Sequence, residues 1–167
     1  KNKGLFVGEQ VGNAHCFYPE KTVSRGDFLA AVVKLLEIPT DKNAQMTENV
    51  PQWLKPYLLA AQRSGLTANW QTNEDYNAPI TGAEAAVILQ NALDLTVSSD
   101  VLASEHSQQW DESLSAHASA SLTVMAENGI ELDANAPLTR DAAAKTLYQV
   151  SLIAPDAPGM RVIRMQK

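Results

Sequence analysis

Five stretches of the chain place apolar residues three and four positions apart, the spacing that puts them on one face of an α-helix. They predict helices over residues 24 to about 37, 51–64, 81 to about 93, about 112–128 and about 141–153. Residues 1–23 are expected to form a loop, because three glycines and a proline interrupt any period there. The predicted fold class is therefore all-α.

A short motif recurs at a regular interval along the chain. Ser24, Thr81 and Thr139 each precede a predicted helix, 57 and 58 residues apart, and the sequence Asn-Ala-Pro-Leu-Thr at 135–139 almost repeats Asn-Ala-Pro-Ile-Thr at 77–81. A fixed interval of this kind indicates an internal repeat. We divide one compact domain into three helix-loop-helix repeats and a tail, namely residues 1–39, 49–95 and 111–153 followed by 154–167.

Each motif also predicts how its helix begins. An acid follows the hydroxyl residue by three positions at Ser24 with Asp27 and at Thr81 with Glu84, which is the spacing of a capping box. In the third copy the acid, Asp141, comes one position early. All three helices are therefore expected to start at the motif.

Arginine follows the cap in two of the three copies, at Arg25 and Arg140, whereas the second copy has Gly82. A cation in the first turn is unfavourable, because the helix dipole is positive there and unsatisfied N–H groups are expected to point outward. Two interpretations stay open. The arginine and these N–H groups together form a receptor for an external carboxylate or phosphate, or the arginine contacts a neighbouring carbonyl or acid and only fastens the loop.

A glycine followed by an aliphatic residue is expected to end the leading helix of a repeat, as at Gly65 and Gly129. Gly4 matches this pattern, but no leading helix precedes it in the sequence. We therefore expect an apolar surface, left without its helix, where the first leading helix would pack. The candidates to cover it are residues 160–167 of the tail, upstream residues, or a neighbouring molecule through self-association.

Composition and charge exclude some classes of function. The formal charge of −6 argues against nucleic acid as a partner, and no stretch is long and apolar enough for membrane insertion. The single cysteine, Cys16, cannot form an internal disulfide and is expected to be a small packed side chain. His15 lies beside Cys16, but His106 and His117 are distant in sequence, so neither a catalytic pair nor a metal site is expected, and no cofactor.

Four segments carry a resemblance to a known family. They are Phe17-Tyr18-Pro19, Val23-Ser24-Arg25-Gly26-Asp27-Phe28, Ile80-Thr81-Gly82-Ala83-Glu84 and Leu138-Thr139-Arg140-Asp141-Ala142. Together with the tryptophan-containing helix and the Gly-Leu turn, they resemble the repeats of the S-layer homology family. The resemblance covers the chain from Gly4 to Ile153, with the first of three tandem repeats truncated.

This resemblance implies a pseudo-three-fold bundle and a non-catalytic role. Members of the family anchor exported proteins at the bacterial cell surface, in the cell wall or S-layer, by binding an acidic, often pyruvylated polysaccharide between adjacent repeats. The resemblance implies that the motif arginines, Arg25 and Arg140, read the acidic group and that Trp53 packs on the sugar. Asp27 and Glu84 of the same motifs complete the implied carbohydrate-binding site.

Three departures from the family pattern favour an alternative. Gly82 replaces the motif arginine of the second repeat, so a groove there is expected to be weak, and a change of Gly82 to alanine is expected to matter little for binding. His117 stands where the third repeat should have an aromatic residue like Trp53, and Asn49 replaces the usual aspartate. The alternative is a degenerate structural or protein-interaction domain that binds no glycan. Of the three tryptophans, Trp53, Trp70 and Trp110, Trp70 is expected to be the most exposed, since its neighbours are polar.

Overall fold

A computed structural model describes residues 9–11, 14–43, 50–68, 70, 75–95 and 116–153. The described elements are two short strands, β1 (Glu9–Val11) and β2 (Ala14–Cys16), and the helices α1 (Arg25–Leu35), α2 (Lys55–Arg63), α3 (Gly82–Leu93), α4 (Ala116–Glu127) and α5 (Arg140–Ile153). The described part of the chain is helical, and the all-α prediction is confirmed at this level. Residues 112–115, with which α4 was predicted to begin, lie outside the described ranges, as do Gly4, Asn49, Trp110 and the tail.

The prediction of a loop over residues 1–23 is wrong where the two strands lie. β1 and β2 pair in antiparallel register, with Glu9 opposite Cys16 and Val11 opposite Ala14. The sequence between them is Gly-Asn, a dipeptide that favours a tight hairpin connection. Because each strand has only three residues, alternation of apolar and polar side chains is too short to be detected there.

The motif residues cap their helices as predicted. The hydroxyl oxygens of Ser24, Thr81 and Thr139 accept hydrogen bonds from the backbone N–H three residues later, at 3.1, 3.3 and 3.2 Å. At α3 the capping box is complete, because Glu84 Oε2 also accepts from the N–H of Thr81 at 2.9 Å. In the third motif Asp141 instead pairs with Lys145, one turn further along α5, at 2.6 Å.

Glycines end the two leading helices that the structure describes. Gly65 after α2 and Gly129 after α4 have φ angles of +74° and +77°, a left-handed conformation that costs glycine little. The next residues, Leu66 and Ile130, donate their N–H groups to carbonyls five residues back, both at 2.9 Å. Both aliphatic side chains are buried, so each glycine turns the chain back into the core.

The residues before the three caps are joined by a closed ring of backbone hydrogen bonds. Val23 donates its N–H to the carbonyl of Leu138 at 2.9 Å, Leu138 donates to Ile80 at 2.9 Å, and Ile80 donates to Val23 at 3.0 Å. All three side chains are buried. Segments far apart in sequence therefore meet at one point, each making the same pair of bonds.

The first turn of each motif helix is bonded to the loop of another motif. The caps follow one another around the ring in the order Ser24, Thr81, Thr139 and back to Ser24. The first N–H group of each helix donates to the carbonyl three residues before the following cap. The second N–H group donates to the carbonyl five residues before that cap. The donor and acceptor pairs are Arg25–Ala78, Gly26–Tyr76, Gly82–Ala136, Ala83–Ala134, Arg140–Lys21 and Asp141–Pro19, at 2.8–3.2 Å. The expectation of unsatisfied N–H groups pointing outward is therefore wrong, because neighbouring loops accept from them.

The helices pack around α1, which contacts α2, α3 and α5, while α4 packs against α3. Their facing side chains form the apolar core, including Phe28, Leu58, Ile88, Met125 and Leu147. The α3–α4 contact also contains a buried hydrogen bond from the Ser121 hydroxyl to the Gln90 amide oxygen. This core fixes the helix starts that carry the candidate binding residues.

Candidate functional site

The side chain of Arg25 crosses from the start of α1 to the start of α3. Its Nε lies 3.0 Å and its Nη2 2.5 Å from Oε1 of Glu84, and its Nη1 donates to the carbonyl of Asp75 at 3.2 Å. The contacts between Arg25 and Glu84 are partly buried. Two of the predicted site residues are therefore brought together, at a junction between the first and second predicted repeats.

Glu84 holds this junction with both of its carboxylate oxygens. Oε1 accepts from Arg25, and Oε2 accepts from the N–H of Thr81 as part of the capping box. The negative charge lies at the start of α3, where the helix dipole stabilises it, and it offsets the cation at the start of α1. Of the two interpretations of the motif arginine, fastening to a neighbouring acid and carbonyl describes these contacts of Arg25.

Trp53 is an exposed residue in a turn that packs near the start of α1 through its neighbour Leu54. The side chain is 51% exposed and stands in the turn before α2. The next residue, Leu54, is buried, and its Cδ2 lies 2.9 Å from where a Cβ on Gly26 would be. Because Gly26 follows Arg25, this packing holds the Trp53 turn close to the start of α1. An exposed indole is a flat apolar surface on which a sugar ring can pack.

The prediction that Trp70 is the most exposed tryptophan is wrong. Trp70 is partly buried against the core, and its ring stacks on Tyr76 with centroids 5.9 Å apart. Tyr76 is buried, and its carbonyl accepts from the N–H of Gly26. Polar neighbours in sequence did not reveal this contact, because it depends on a residue six positions later.

The junction between α3 and the loop before α5 has no room for a side chain at the equivalent position. A Cβ added to Gly82 would lie 1.9 Å from the carbonyl oxygen of Asp133 and 2.6 Å from its carbonyl carbon. Real Cβ atoms essentially never come within 3.0 Å of another group. Gly82→Ala is therefore expected to disturb the fold, because backbone occupies the space of the missing side chain, while its small expected effect on binding stays a prediction.

At the third junction, Arg140 contacts the loop that precedes α1. Its Nη1 donates to the carbonyl of Phe17 at 2.8 Å. Two aromatic residues of this loop, Phe17 and Tyr18, are exposed. The site prediction did not include these two aromatic residues, although the pattern of two aromatics followed by proline was visible in the sequence.

The remaining predicted residues lie at helix starts on the surface. Asp27 is exposed in the first turn of α1, where its carboxylate accepts from the Ser24 hydroxyl at 2.8 Å. His117, in the place expected for an aromatic of the third repeat, is exposed near the start of α4.

Cys16 is partly buried, in keeping with its interpretation as a small packed side chain.

Within the described ranges, no three His, Cys, Asp or Glu side chains lie close enough together to hold a metal ion. None of the helices in that part of the chain is long and apolar enough to cross a membrane. Comparison of the chain with protein-family models and with curated proteins found no match.

Proposed function

We propose that this chain is a non-catalytic anchoring module of the S-layer homology type. It binds an acidic, possibly pyruvylated, polysaccharide of the bacterial cell wall in grooves between adjacent repeats, and it works outside the cell. The observation that carries the proposal is the contact of Arg25 with Glu84, beside a turn in which Leu54 packs at Gly26 and the preceding residue, Trp53, is exposed. A carboxylated sugar needs both an arginine fork and a flat apolar surface, and in the proposed groove Arg25 supplies the first and Trp53 the second.

The proposed architecture is a pseudo-three-fold bundle of helix-loop-helix repeats. It is supported by the ring of hydrogen bonds that joins Val23, Ile80 and Leu138, since each residue donates to one neighbour and accepts from the other. The bonds from the first turns of α1, α3 and α5 to the adjacent loops follow the same order. In this architecture each junction between repeats places one motif residue, Arg25, Gly82 or Arg140, beside a groove.

A specific observation favours the alternative of a structural or protein-interaction domain without glycan binding. Arg25 already contacts a carboxylate, so an acidic sugar has to compete with Glu84 for the guanidinium. At the Gly82 junction no arginine is available at all. If the alternative holds, the motif arginine fastens two helix starts together and has no further role.

Sedimentation with bacterial wall sacculi separates the two functions. The purified chain is mixed with sacculi that carry a pyruvylated secondary polysaccharide, and with the same sacculi after that polysaccharide has been removed. We expect the chain to sediment with the first and to stay in solution with the second. Equal behaviour with both preparations would reject glycan anchoring and favour the alternative. A free pyruvylated fragment of the polysaccharide should compete with the sacculi.

A further inference from the structure

The outer face of α5 differs from the equivalent faces of α1 and α3. Nine residues after their caps, the three helices have Val33, Gln90 and Tyr148. Val33 is 0% exposed and Gln90 is 7% exposed, whereas Tyr148 is 66% exposed. A large aromatic side chain therefore lies in water at a position that is buried in the other two helices.

The neighbouring helices explain this difference. α2 packs on α1, where Lys34 lies over the ring of Tyr57 at 5.2 Å, and α4 packs on α3, where Ser121 bonds to Gln90. Six residues after the cap the same contrast appears, since Ala30 and Val87 are buried but Lys145 is exposed. On α1 and α3 the equivalent face is therefore covered by a packed helix, whereas on α5 it is open.

A groove of about 450 Å³ runs beside this open face. It lies between α5 and the loop that follows α4, and its lining includes Glu131, Asp133, Lys145 and Gln149. Lys145 is paired with Asp141 at 2.6 Å, so the two loop acids give this edge of the open face a negative charge. A segment that fits here needs apolar residues to pack against Tyr148 and basic residues to pair with Glu131 and Asp133.

We propose that residues 160–167 of the tail fold back over α5 and cover this face. Their sequence, Met-Arg-Val-Ile-Arg-Met-Gln-Lys, has four apolar residues and three basic ones. The apolar residues suit Tyr148, and the basic residues suit Glu131 and Asp133. The proposal does not depend on whether the chain binds a polysaccharide.

The tail is long enough and begins at the right place. It follows α5 directly, and residues 154–159 contain Pro155, Pro158 and Gly159, which favour a change of chain direction. Eight extended residues span roughly 26–29 Å, while the 14 residues of α5 span roughly 21 Å. A tethered segment also has an effective concentration that a second molecule in dilute solution does not reach, so the tail is favoured over self-association.

Amide hydrogen exchange of the full chain, compared with a chain that ends at residue 154, tests the proposal. We expect roughly tenfold faster exchange along α5 in the shortened chain, with α3 unchanged because α4 already covers it. Replacing Tyr148 with serine in the full chain should give the same acceleration, and in the shortened chain it should add nothing. Equal effects of Tyr148→Ser in the two chains would overturn the proposal.

Two further measurements complete the test. If the shortened chain does not fold, a full-length variant with Arg161→Glu, Arg164→Glu and Lys167→Glu replaces it, and it should show the same faster exchange in α5. Sedimentation equilibrium at low and high protein concentration should give one monomer mass. A dimer that forms with concentration and depends on Tyr148 would show that a second copy covers the face, and the tail proposal would be rejected.

Discussion

The Arg25 junction and the Gly82 junction have the same backbone hydrogen bonds but differ in what fills the space beside the helix start. At α1, the first two N–H groups donate to Ala78 and Tyr76, and the arginine side chain extends across to Glu84. At α3, the first two N–H groups donate to the equivalent loop, and the backbone of Asp133 takes the side chain's place.

This contrast separates what the fold needs from what a ligand needs. The cap hydroxyl and the bonds from the first turn are present at both junctions, so they belong to the fold. The residue directly after the cap is a long cation at α1 and glycine at α3, so an arginine there is not required to bring the helix starts together. It decides whether a junction offers a guanidinium to an acidic ligand. The following predictions test this separation, from the largest expected change in stability to the smallest.

The largest loss is expected for Gly82→Ala. The new Cβ would lie 1.9 Å from the Asp133 carbonyl oxygen, and backbone cannot move aside as a side chain can. We expect the free energy of unfolding to fall by about 1–3 kcal/mol, the usual cost of overpacking. The measurement is urea unfolding followed by circular dichroism.

Gly26→Ala is the matched control for this change. Its Cβ would meet Leu54 Cδ2 at 2.9 Å and the Tyr76 carbonyl oxygen at 3.2 Å, and the closer of the two belongs to a flexible side chain. Alanine also favours the helix, so the net change should be about 1 kcal/mol or less in either direction. If Gly82→Ala is no more harmful than Gly26→Ala, the close approach of Asp133 is not a constraint on the fold.

Much of the fold could be predicted from the sequence because its determinants are local. Helical spacing and the cap residues Ser24, Thr81 and Thr139 placed the starts of three helices, and Gly65 and Gly129 placed the ends of two more. Contacts that arise from tertiary packing could not be predicted. Neither the backbone of Asp133 against Gly82 nor the stacking of Trp70 on Tyr76 leaves a local pattern, since each depends on how packed elements meet.

The candidate site shows the same division. The cap motif predicted that Arg25 lies at a helix start. Contact with a neighbouring acid was one of the two interpretations that the sequence left open. Which acid it contacts did not follow, because Glu84 lies 59 residues away in the chain. The loop carbonyls that accept from the first-turn N–H groups are also distant in sequence, so N–H groups that were expected to point outward are bonded at the starts of α1, α3 and α5.

The second-largest loss is expected for Glu84→Ala. Alanine removes the acceptor of the capping box and the partner of Arg25 together, and loss of a cap interaction typically costs about 0.5–2 kcal/mol. Glu84→Gln is the control, because an amide oxygen can still accept from the N–H of Thr81. Thermal unfolding should place glutamine between alanine and the parent. A glutamine variant as unstable as the alanine variant would mean that the charge, and not the cap, is what matters at this position.

Arg25→Ala should have a smaller effect on stability. The pair with Glu84 is only partly buried, so its removal is expected to cost about 1 kcal/mol. Binding to sacculi should fall more than stability, since one charge-assisted contact to a carboxylate is worth about 1.5–3 kcal/mol, or at least tenfold in affinity. Arg140→Ala serves as the comparison at the third junction. Unchanged binding by a folded Arg25→Ala variant would remove this junction from the proposed site.

Trp53→Ala gives the smallest expected change in stability and therefore the sharpest test of binding. Trp53 is 51% exposed, so the free energy of unfolding should change by about 0.5 kcal/mol or less, as at other surface positions. Stacking on a sugar ring uses that exposed face, so loss of the indole should weaken binding to sacculi about tenfold. Trp53→Phe keeps a flat ring and should recover part of the affinity. If Trp53→Ala lowers stability but leaves binding unchanged, the exposed tryptophan serves the fold, and the structural alternative for this module becomes the better one.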